Sequence, residues 1–453
     1  PRVAPSPRAV ASPRAAPSPR VAPSPRAATS PRVAPSPRAA TSPRVAPSPR
    51  AAPSPRAAPS PRVASPPRTS TPRTTGSPGR CYACRGRHAG AHPRYPALCP
   101  ACGAENLAKR TQTADLSGRV GLVTGARTGA GYATALKLLR AGAVVLGTSR
   151  FPRDAAERFA AEPDARRWSA RLHLYGLDFR VPGWVEAFAA HLAATAARLD
   201  ILVNNAAQTV RRPAPFYADL VDGERAADRE LSAPVRRALA AGREFAARHA
   251  GGGASLGQSA LLSQVRVLPE DAVQALGSGD AGLAVTGARD LRASNSWMTR
   301  LGEVATAECL EVLLVNAAAP FVLAGKLRAT MARDALADKW IVNVAAVEGQ
   351  FSRAQKDDRH PHLNMAKAAL NMLTRSSAAD YARDRIFMNS VDVGWFSNGE
   401  PAAVAAAMHA RGFALPLDAV DAAARVCDPV FSGVRTGRSA HGQLLKDYRP
   451  VAW

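Results

Sequence analysis

From about residue 115 to the C-terminus, short aliphatic runs alternate with longer stretches rich in alanine and leucine. The runs "RVGLVTG" (119–125), "AVVLGTS" (143–149), "RLHLYGLD" (171–178), "DILVNNAA" (200–207), "WIVNVAA" (340–346) and "IFMNSVDVG" (386–394) are apolar on both alternating faces. That is the pattern of strands buried on two sides, not of strands with one wet face. Strand and helix patterns alternating at this spacing predict an α/β fold built on a parallel, doubly wound sheet. The alternation breaks between about 208 and 295, where "RRALAAGREFAARHA" is followed by "GGGASLGQ" and little clear pattern. This stretch reads as a large insertion with one or two helices and mobile loops, either a surface elaboration or a lid.

Charge divides the chain differently. It has 453 residues and a formal net charge of +25. Residues 1–80 carry about fourteen arginines and no acidic residue, over half of the excess. Arginine recurs at every sixth position from Arg2 to Arg68, each time after a proline and most often as Ser-Pro-Arg. Proline at this density removes backbone donors, and the segment has almost nothing to bury. A disordered tail of polyproline II character is expected over 1–80. Such a tail could contact nucleic acid or another acidic partner, with Ser-Pro phosphorylation as a control. The remainder is only mildly basic, so the high charge says little about the folded part.

Candidate chemistry concentrates in two places. The first is "LVTGARTGAGYATALKLLRAGA" (122–143), a strand, a glycine turn and a helix. Gly125, Gly129 and Gly131 let the backbone turn tightly and approach a pyrophosphate, which the helix N-terminus then faces with free N–H groups. A strand before the turn and a second strand after the helix supply the context that a glycine pattern alone lacks. Sites that prefer NAD place a carboxylate at the end of the second strand for the ribose 2′-OH. Here that end reads Thr148-Ser149-Arg150, with Arg127 inside the turn, so the charge favours a 2′-phosphate and hence NADP.

The second is a cysteine module at 81–110. Cys81 and Cys84 form one CxxC pair and Cys99 and Cys102 another, with fourteen residues between them. Two such pairs supply the four soft ligands of tetrahedral zinc, and the tight "CPACG" turn suits a zinc knuckle. His88 and His92 are alternative ligands. Six cysteines in so long a chain make no disulfide scaffold, and the pattern suits a reducing, cytoplasmic setting. No uninterrupted apolar run of about 18 residues stands out, so no membrane span is expected. The sequence begins at Pro1 and not at methionine, which leaves room for a leader removed ahead of it.

Thr124–Gly131 resembles the TGxxxGxG turn of the short-chain dehydrogenase/reductase family, and further similarities follow in order. "NNAA" (204–207), "LLVNAAAPF" around Asn316, "NMAKAALNMLTRSSA" (364–378), "NSVDVGW" (389–395) and "GQLLKDY" (442–448) resemble the family's NNAG, active-site asparagine, YxxxK helix, NxVxPG segment and last strand. The resemblance covers about 115–453 apart from the insertion. It implies a Rossmann-type domain and an NADP(H)-dependent oxidoreductase acting on a carbonyl or alcohol. It places Thr124, Gly125, Gly129, Gly131, Asp178, Asn204, Lys367 and Gly394 at the cofactor, beside Arg127 and Arg150. It also implies a homodimer through the helix after Glu303 and the helix that contains Lys367.

One departure bears on catalysis. In the family a tyrosine phenol is the general acid/base, and a lysine four residues later lowers its pKa and holds the nicotinamide ribose. Lys367 and Asn316 match this pattern, but Leu363 occupies the tyrosine position and Ala346 the position of the helper serine. Either another group donates the proton, or the domain binds NADP(H) without turnover as a sensor or scaffold. His362 is the leading substitute acid, with His360, Glu348, Gln350 and Ser352 nearby; both histidines are expected to titrate near neutral pH.

Overall fold

The structure is a computed structural model that describes residues 79–226, 231–249, 256–268, 290–354 and 356–453. Nearly all of the repeat tail, with the disorder expected of it, and the middle of the insertion lie outside the described residues. The described residues fall in one compact unit.

Eight strands make the main sheet. β3 (Val120–Val123), β4 (Val144–Ser149), β5 (Leu172–Gly176), β6 (Ile201–Asn204), β7 (Lys339–Ala345) and β8 (Ile386–Asp392) are the six runs marked by the sequence. They are followed by β9 (Leu444–Lys446) and β10 (Arg449–Val451), and the order across the sheet is β10-β9-β8-β7-β6-β3-β4-β5. All pairings are parallel except that of β9 with β10. The final hairpin, not foreseen, turns on Asp447 and Tyr448, both at positive φ, the backbone that a two-residue primed turn demands.

Order reverses between β3 and β6, whose neighbouring strands start at the same level: Leu122 pairs with both Leu146 and Leu202. In an open doubly wound sheet the carboxyl ends at such a reversal leave a crevice for a ligand. α2 (Gly129–Arg140) and α12 (Ala419–Thr436) cover one face, with Leu138, Val426 and Phe431 buried against Val123 and Val342. α4 (Pro182–Thr195), α9 (Ala319–Ala332) and α10 (Pro361–Ala382) cover the other, with Phe188, Leu323 and Leu327 against Leu122 and Ile341.

The insertion, expected as a surface elaboration or a lid, packs onto the sheet edge in its described part. Its helices are α5 (Ala218–Arg225), α6 (Ala233–Arg248) and α7 (Leu256–Leu261). α6 lies against edge strand β5 so closely that a Cβ on Gly242 would stand 2.2 Å from the Leu174 carbonyl oxygen. Val235, Ala238 and Leu239 join the main core. Glu224 of α5 accepts the backbone N–H groups of Arg153 and Asp154 and so caps α3 (Pro152–Ala160). An insertion that covers an open sheet edge and caps a core helix is part of the domain.

α8 (Thr306–Leu313) runs through a π turn at Leu314–Ala318 into α9. Together Thr306–Met331 is long and apolar enough to cross a membrane by length and composition. The sequence pattern hid it because Glu308, Glu311 and Lys326 interrupt the run. In the fold Leu323, Ala324, Leu327 and Met331 are buried in the core.

The cysteine module is not a separate domain. β1 (Gly79–Arg80) and β2 (Arg87–His88) pair ahead of α1 (Pro100–Thr111), which packs along α12. The buried Asp421 carboxylate of α12 accepts hydrogen bonds from Tyr95 Oη (2.8 Å), Asn106 Nδ2 (3.0 Å) and Arg110 (2.8 Å). Arg425 donates to Asn106 Oδ1, the Tyr448 hydroxyl and Asp447, and Lys109 pairs with Asp428. The interface is a polar network joining residues more than 300 apart in sequence, with Arg425 Nε left without a partner in it.

Candidate functional site

The glycine turn begins where β3 ends. Gly125 and Gly129 have φ of +67° and +60°, conformations glycine adopts without strain. A Cβ on Gly131 would lie 2.2 Å from both Asn205 Nδ2 and the Gly125 carbonyl oxygen, so no larger residue fits. The α2 N-cap, Thr128, makes no side-chain cap hydrogen bond. The first-turn N–H groups are left for another acceptor, as a phosphate-binding helix end requires.

Of two predicted cofactor ligands, one serves the turn and the other the sheet. Thr124 Oγ1 accepts the N–H groups of Asn205 and Ala206, each at 2.9 Å. Asn204 Nδ2 donates to Asn343 Oδ1 across β6 and β7. Asn205, which the sequence reading passed over, donates Nδ2 to the carbonyls of Thr124 and Gly125 and closes the turn. Its signal was its place inside "NNAA".

At the adenosine end the charges are more engaged than the sequence suggested. Arg127 pairs with Asp154 at 2.9 Å. Asp154, brought back to the strand end by the first turn of α3, corrects the expectation of two arginines without a carboxylate. Among the described residues Arg150 has no ion-paired carboxylate, although its charge also helps to lower the pKa of Asp178: its guanidinium lies 4.7 Å from the centre of the Tyr217 ring and donates to the Tyr217 hydroxyl at 3.0 Å. Tyr217 belongs to the insertion and packs with Phe151, Val221 and Ala260. Asp178 is buried and held by Arg180, which also reaches Glu311. Burial works against the Asp178 charge, but the Arg180 guanidinium outweighs it and holds the carboxyl below its usual range.

At the opposite end Asn316 lies in the π turn, buried, accepting the Gln208 N–H (2.7 Å) and donating to the Gln208 carbonyl (2.9 Å). π turns inside α-helices recur at functional sites. Lys367 of α10 is buried, and Nζ donates to the Val344 carbonyl at 2.8 Å. Burial pushes its pKa down to about 8. Leu363 packs with Val312 and Ala366 beside Trp297 and Leu313, an apolar plug where a phenol would stand.

His362 departs from expectation. It is buried, and neither ring nitrogen has a hydrogen-bond partner. Burial, with a smaller contribution from His360, lowers its pKa to about 4, so the expected titration near neutrality is corrected: the ring is neutral at pH 7. His360 stacks on Trp297 at 4.4 Å, and Nδ1 meets the Trp297 carbonyl, a structural placement. Ser352 and Gln350 bond to the Ala452 carbonyl.

Gly394 follows β8 at φ +77°. Two residues on, Phe396 places Cε2 3.7 Å from the point a Cβ on Gly129 would occupy, so the 394–396 loop lies over the glycine turn. In the module, the Sγ atoms of Cys81, Cys84, Cys99 and Cys102 lie within 4.8 Å of one another, and Cys84 and Cys99 are 3.9 Å apart. Four thiolates around zinc at about 2.3 Å stand roughly 3.8 Å apart. Cys99 also caps α1, accepting the Cys102 N–H on sulfur. His92 Nδ1 instead accepts the Arg94 N–H, and neither His88 nor His92 joins the cluster.

A doubly wound parallel sheet with a glycine turn at its order reversal, under an uncapped helix end, defines a Rossmann-type domain. The chain belongs to the short-chain dehydrogenase/reductase family: the short chain dehydrogenase model matches residues 119–252 and the enoyl-(acyl carrier protein) reductase model residues 262–416. An uncharacterized protein of Acanthamoeba polyphaga mimivirus is 30% identical over 364 residues, 78% of this chain and 71% of that protein. The 2-dehydro-3-deoxy-D-gluconate 5-dehydrogenase of Pseudoalteromonas atlantica is 32% identical over 136 residues, 30% of this chain and 52% of that enzyme. Among solved structures, a short-chain dehydrogenase from Streptomyces avermitilis is 18% identical, with 73% of this chain and 88% of that one covered and a TM-score of 0.44. An NADPH-bound carbonyl reductase from chicken fatty liver is 17% identical, with 75% and 100% covered and a TM-score of 0.44.

Proposed function

We propose that the protein is an NADP(H)-dependent oxidoreductase that interconverts a carbonyl and an alcohol. The observation that carries the cofactor reading is the glycine cradle with Arg150 at the end of β4, without an ion-paired carboxylate among the described residues and held in place by Tyr217. Arg127, neutralised by Asp154, orders the turn instead. Gly125, Gly129 and Gly131 admit the pyrophosphate, and Lys367 holds the nicotinamide ribose. The dinucleotide, when bound, would supply the hydride; the chain supplies orientation and a hydrogen-bond donor to the substrate oxygen, and the proton that completes the alcohol comes from solvent.

With Leu363 in the tyrosine position, the proton comes from elsewhere. A buried imidazole with both nitrogens unpartnered carries a desolvation cost that a bound group relieves. His362 in its neutral form can donate one N–H to a substrate oxygen, acting as a polarising donor and not as an imidazolium acid. Asn316 supports this end by fixing the Gln208 backbone. At saturating NADPH the rate should then be flat through the histidine range, from about pH 5.5 to 7.5.

The test is NADPH absorbance over time with a carbonyl panel, together with titration calorimetry. NADPH should bind about tenfold or more tightly than NADH, the scale of one charge-assisted contact, and Arg150→Asp should close that gap. Equal affinities in the wild type would sink the cofactor reading, and tight binding without consumption would sink the enzyme reading.

The cysteine cluster fits one structural zinc bound by Cys81, Cys84, Cys99 and Cys102, and six free thiols suit a reducing compartment. A homodimer is proposed through α8, α9 and α10, which leave Leu310, Phe321, Met365 and Met372 more than half exposed. Light scattering at micromolar concentration should read two chains; a monomer would end that proposal. Contact of the arginine repeat with nucleic acid or another acidic partner remains a proposal from sequence, since the repeat lies outside the described residues.

A further inference from the structure

Tyr82 stands inside the first cysteine pair. Its backbone N–H donates to the Ala97 carbonyl (2.8 Å), and Cys81 N–H donates to the Gly86 carbonyl (2.9 Å). The two knuckles thus fix where its ring goes, and the ring leaves the module: the phenol oxygen accepts the backbone N–H of Trp395 at 2.8 Å, 313 residues away. Trp395 belongs to the loop that lies over the glycine turn.

The loop is tightly held at this point. A Cβ on Gly394 would stand 2.5 Å from Leu417 Cδ1 and 3.4 Å from the Tyr82 hydroxyl. Asp392 accepts the Gly394 N–H through one carboxylate oxygen (2.9 Å) and Lys446 Nζ through the other (2.5 Å). The strand side is therefore fixed by the sheet, but the Trp395 amide has its partner in the cysteine module. One residue further on, Phe396 reaches the glycine turn. The physical path is short: thiolates, Tyr82 hydroxyl, Trp395 amide, Phe396 ring, Gly129.

We propose that Tyr82 is a positioning residue for the dinucleotide site, through which the four-cysteine metal centre holds the 394–396 loop against the glycine turn and so sets dinucleotide affinity. The inference rests on the dinucleotide and zinc readings above. Without metal, nothing covalent ties Cys81 and Cys84 to Cys99 and Cys102, and four thiols in one small cluster lose the common centre that fixes the first knuckle. Tyr82 then no longer presents its oxygen to Trp395, and the loop is ordered only from the sheet side.

The experiment uses the full chain and two readouts. Tyr82→Phe keeps the ring and removes the one acceptor. It should retain one zinc per chain by metal analysis, weaken NADPH binding roughly three- to tenfold, the scale of one unmade hydrogen bond, and speed hydrogen exchange of the Trp395 amide. A chelator should do the same to the wild type, and should add nothing further in Tyr82→Phe. Phe396→Ala tests the far end of the path: it should weaken NADPH binding with zinc retained, which keeps the proposal open to refutation even if Tyr82→Phe folds poorly. Unchanged affinity and exchange in Tyr82→Phe would overturn the proposal. So would an equal further loss on chelation in variant and wild type, or protein purified without chelator that holds no metal. If the wild type binds no NADPH at all, the dinucleotide reading has failed instead, and the exchange of Trp395 with and without chelator still decides whether the metal centre holds the loop.

Discussion

Asp421→Ala should be the most destabilising single substitution at the junction of the cysteine module with the sheet, lowering stability by about 3–5 kcal/mol. Asp421 is buried and takes hydrogen bonds from Tyr95, Asn106 and Arg110 at once. Its second oxygen accepts the Asp418 N–H. Removing the carboxylate leaves the guanidinium of Arg110 only the half-exposed Asp418 and strips the buried phenol and amide of their acceptor. Thermal unfolding should move down by at least roughly 6 °C, at about 2–4 °C per kcal/mol for a domain of this order. Asp421→Asn, which keeps one acceptor and the shape, should lose clearly less. Because α1 and α12 share this network, the loss should appear in the main transition, with no separate early melting of 81–110. An independent early transition in calorimetry would show that the module folds alone and that this account of the junction is wrong.

Lys367→Met should have opposite effects on binding and on stability. The wild-type ammonium is buried against a single carbonyl, Val344, and burial lowers its pKa to about 8 from 10.5. The sign follows directly. Below about pH 8 the folded state carries a charge it holds less well than the unfolded chain does, a cost on the order of 3 kcal/mol. That cost fades as pH rises from about 8 to the unfolded value. Lys367→Met removes it, so the variant should be more stable than the wild type at pH 7 and show no such rise between pH 8 and 10. Binding runs the other way. The ammonium is the form that donates to a ribose hydroxyl, so wild-type NADPH affinity should fall as pH rises through about 8. Lys367→Met should bind tenfold or more weakly at pH 7 with no matching pH dependence. A variant that is destabilised at pH 7, or that binds as the wild type does, would show that Lys367 is a structural residue. A costly buried group kept at a cleft is the stability sacrifice expected of a functional site.

The six buried strands were legible because burial on both faces of a parallel sheet writes itself locally as unbroken aliphatic runs. The glycine turn was legible for the same reason: Gly125 and Gly129 need positive φ within their own few residues. The way the insertion packs was not legible: α6 carries only a few large apolar residues, Val235, Leu239 and Phe245, and what lets it approach so closely is Gly242 meeting the backbone of β5. Sequence pattern cannot show that a glycine is there for close approach to a strand about 70 residues earlier.

The sequence by itself determined the six buried strands, the glycine turn and the two CxxC pairs, all set by residues within a turn or two of one another. It also determined that Leu363 and Ala346 stand where the family has its proton-handling side chains. Tertiary structure alone decided which charges are spent and which are available. Asp154 neutralises Arg127, Arg180 occupies Asp178, and Tyr217 from the insertion holds Arg150. It decided that His362 is neutral, because a pKa answers to burial and not to residue type. It decided, too, that the cysteine module reaches the glycine turn, since Tyr82 and Trp395 meet only after the chain has folded back across the whole sheet. Short-range geometry is encoded in neighbouring residues; hydrogen-bond partners, ion pairs and desolvation depend on chain segments brought together by packing.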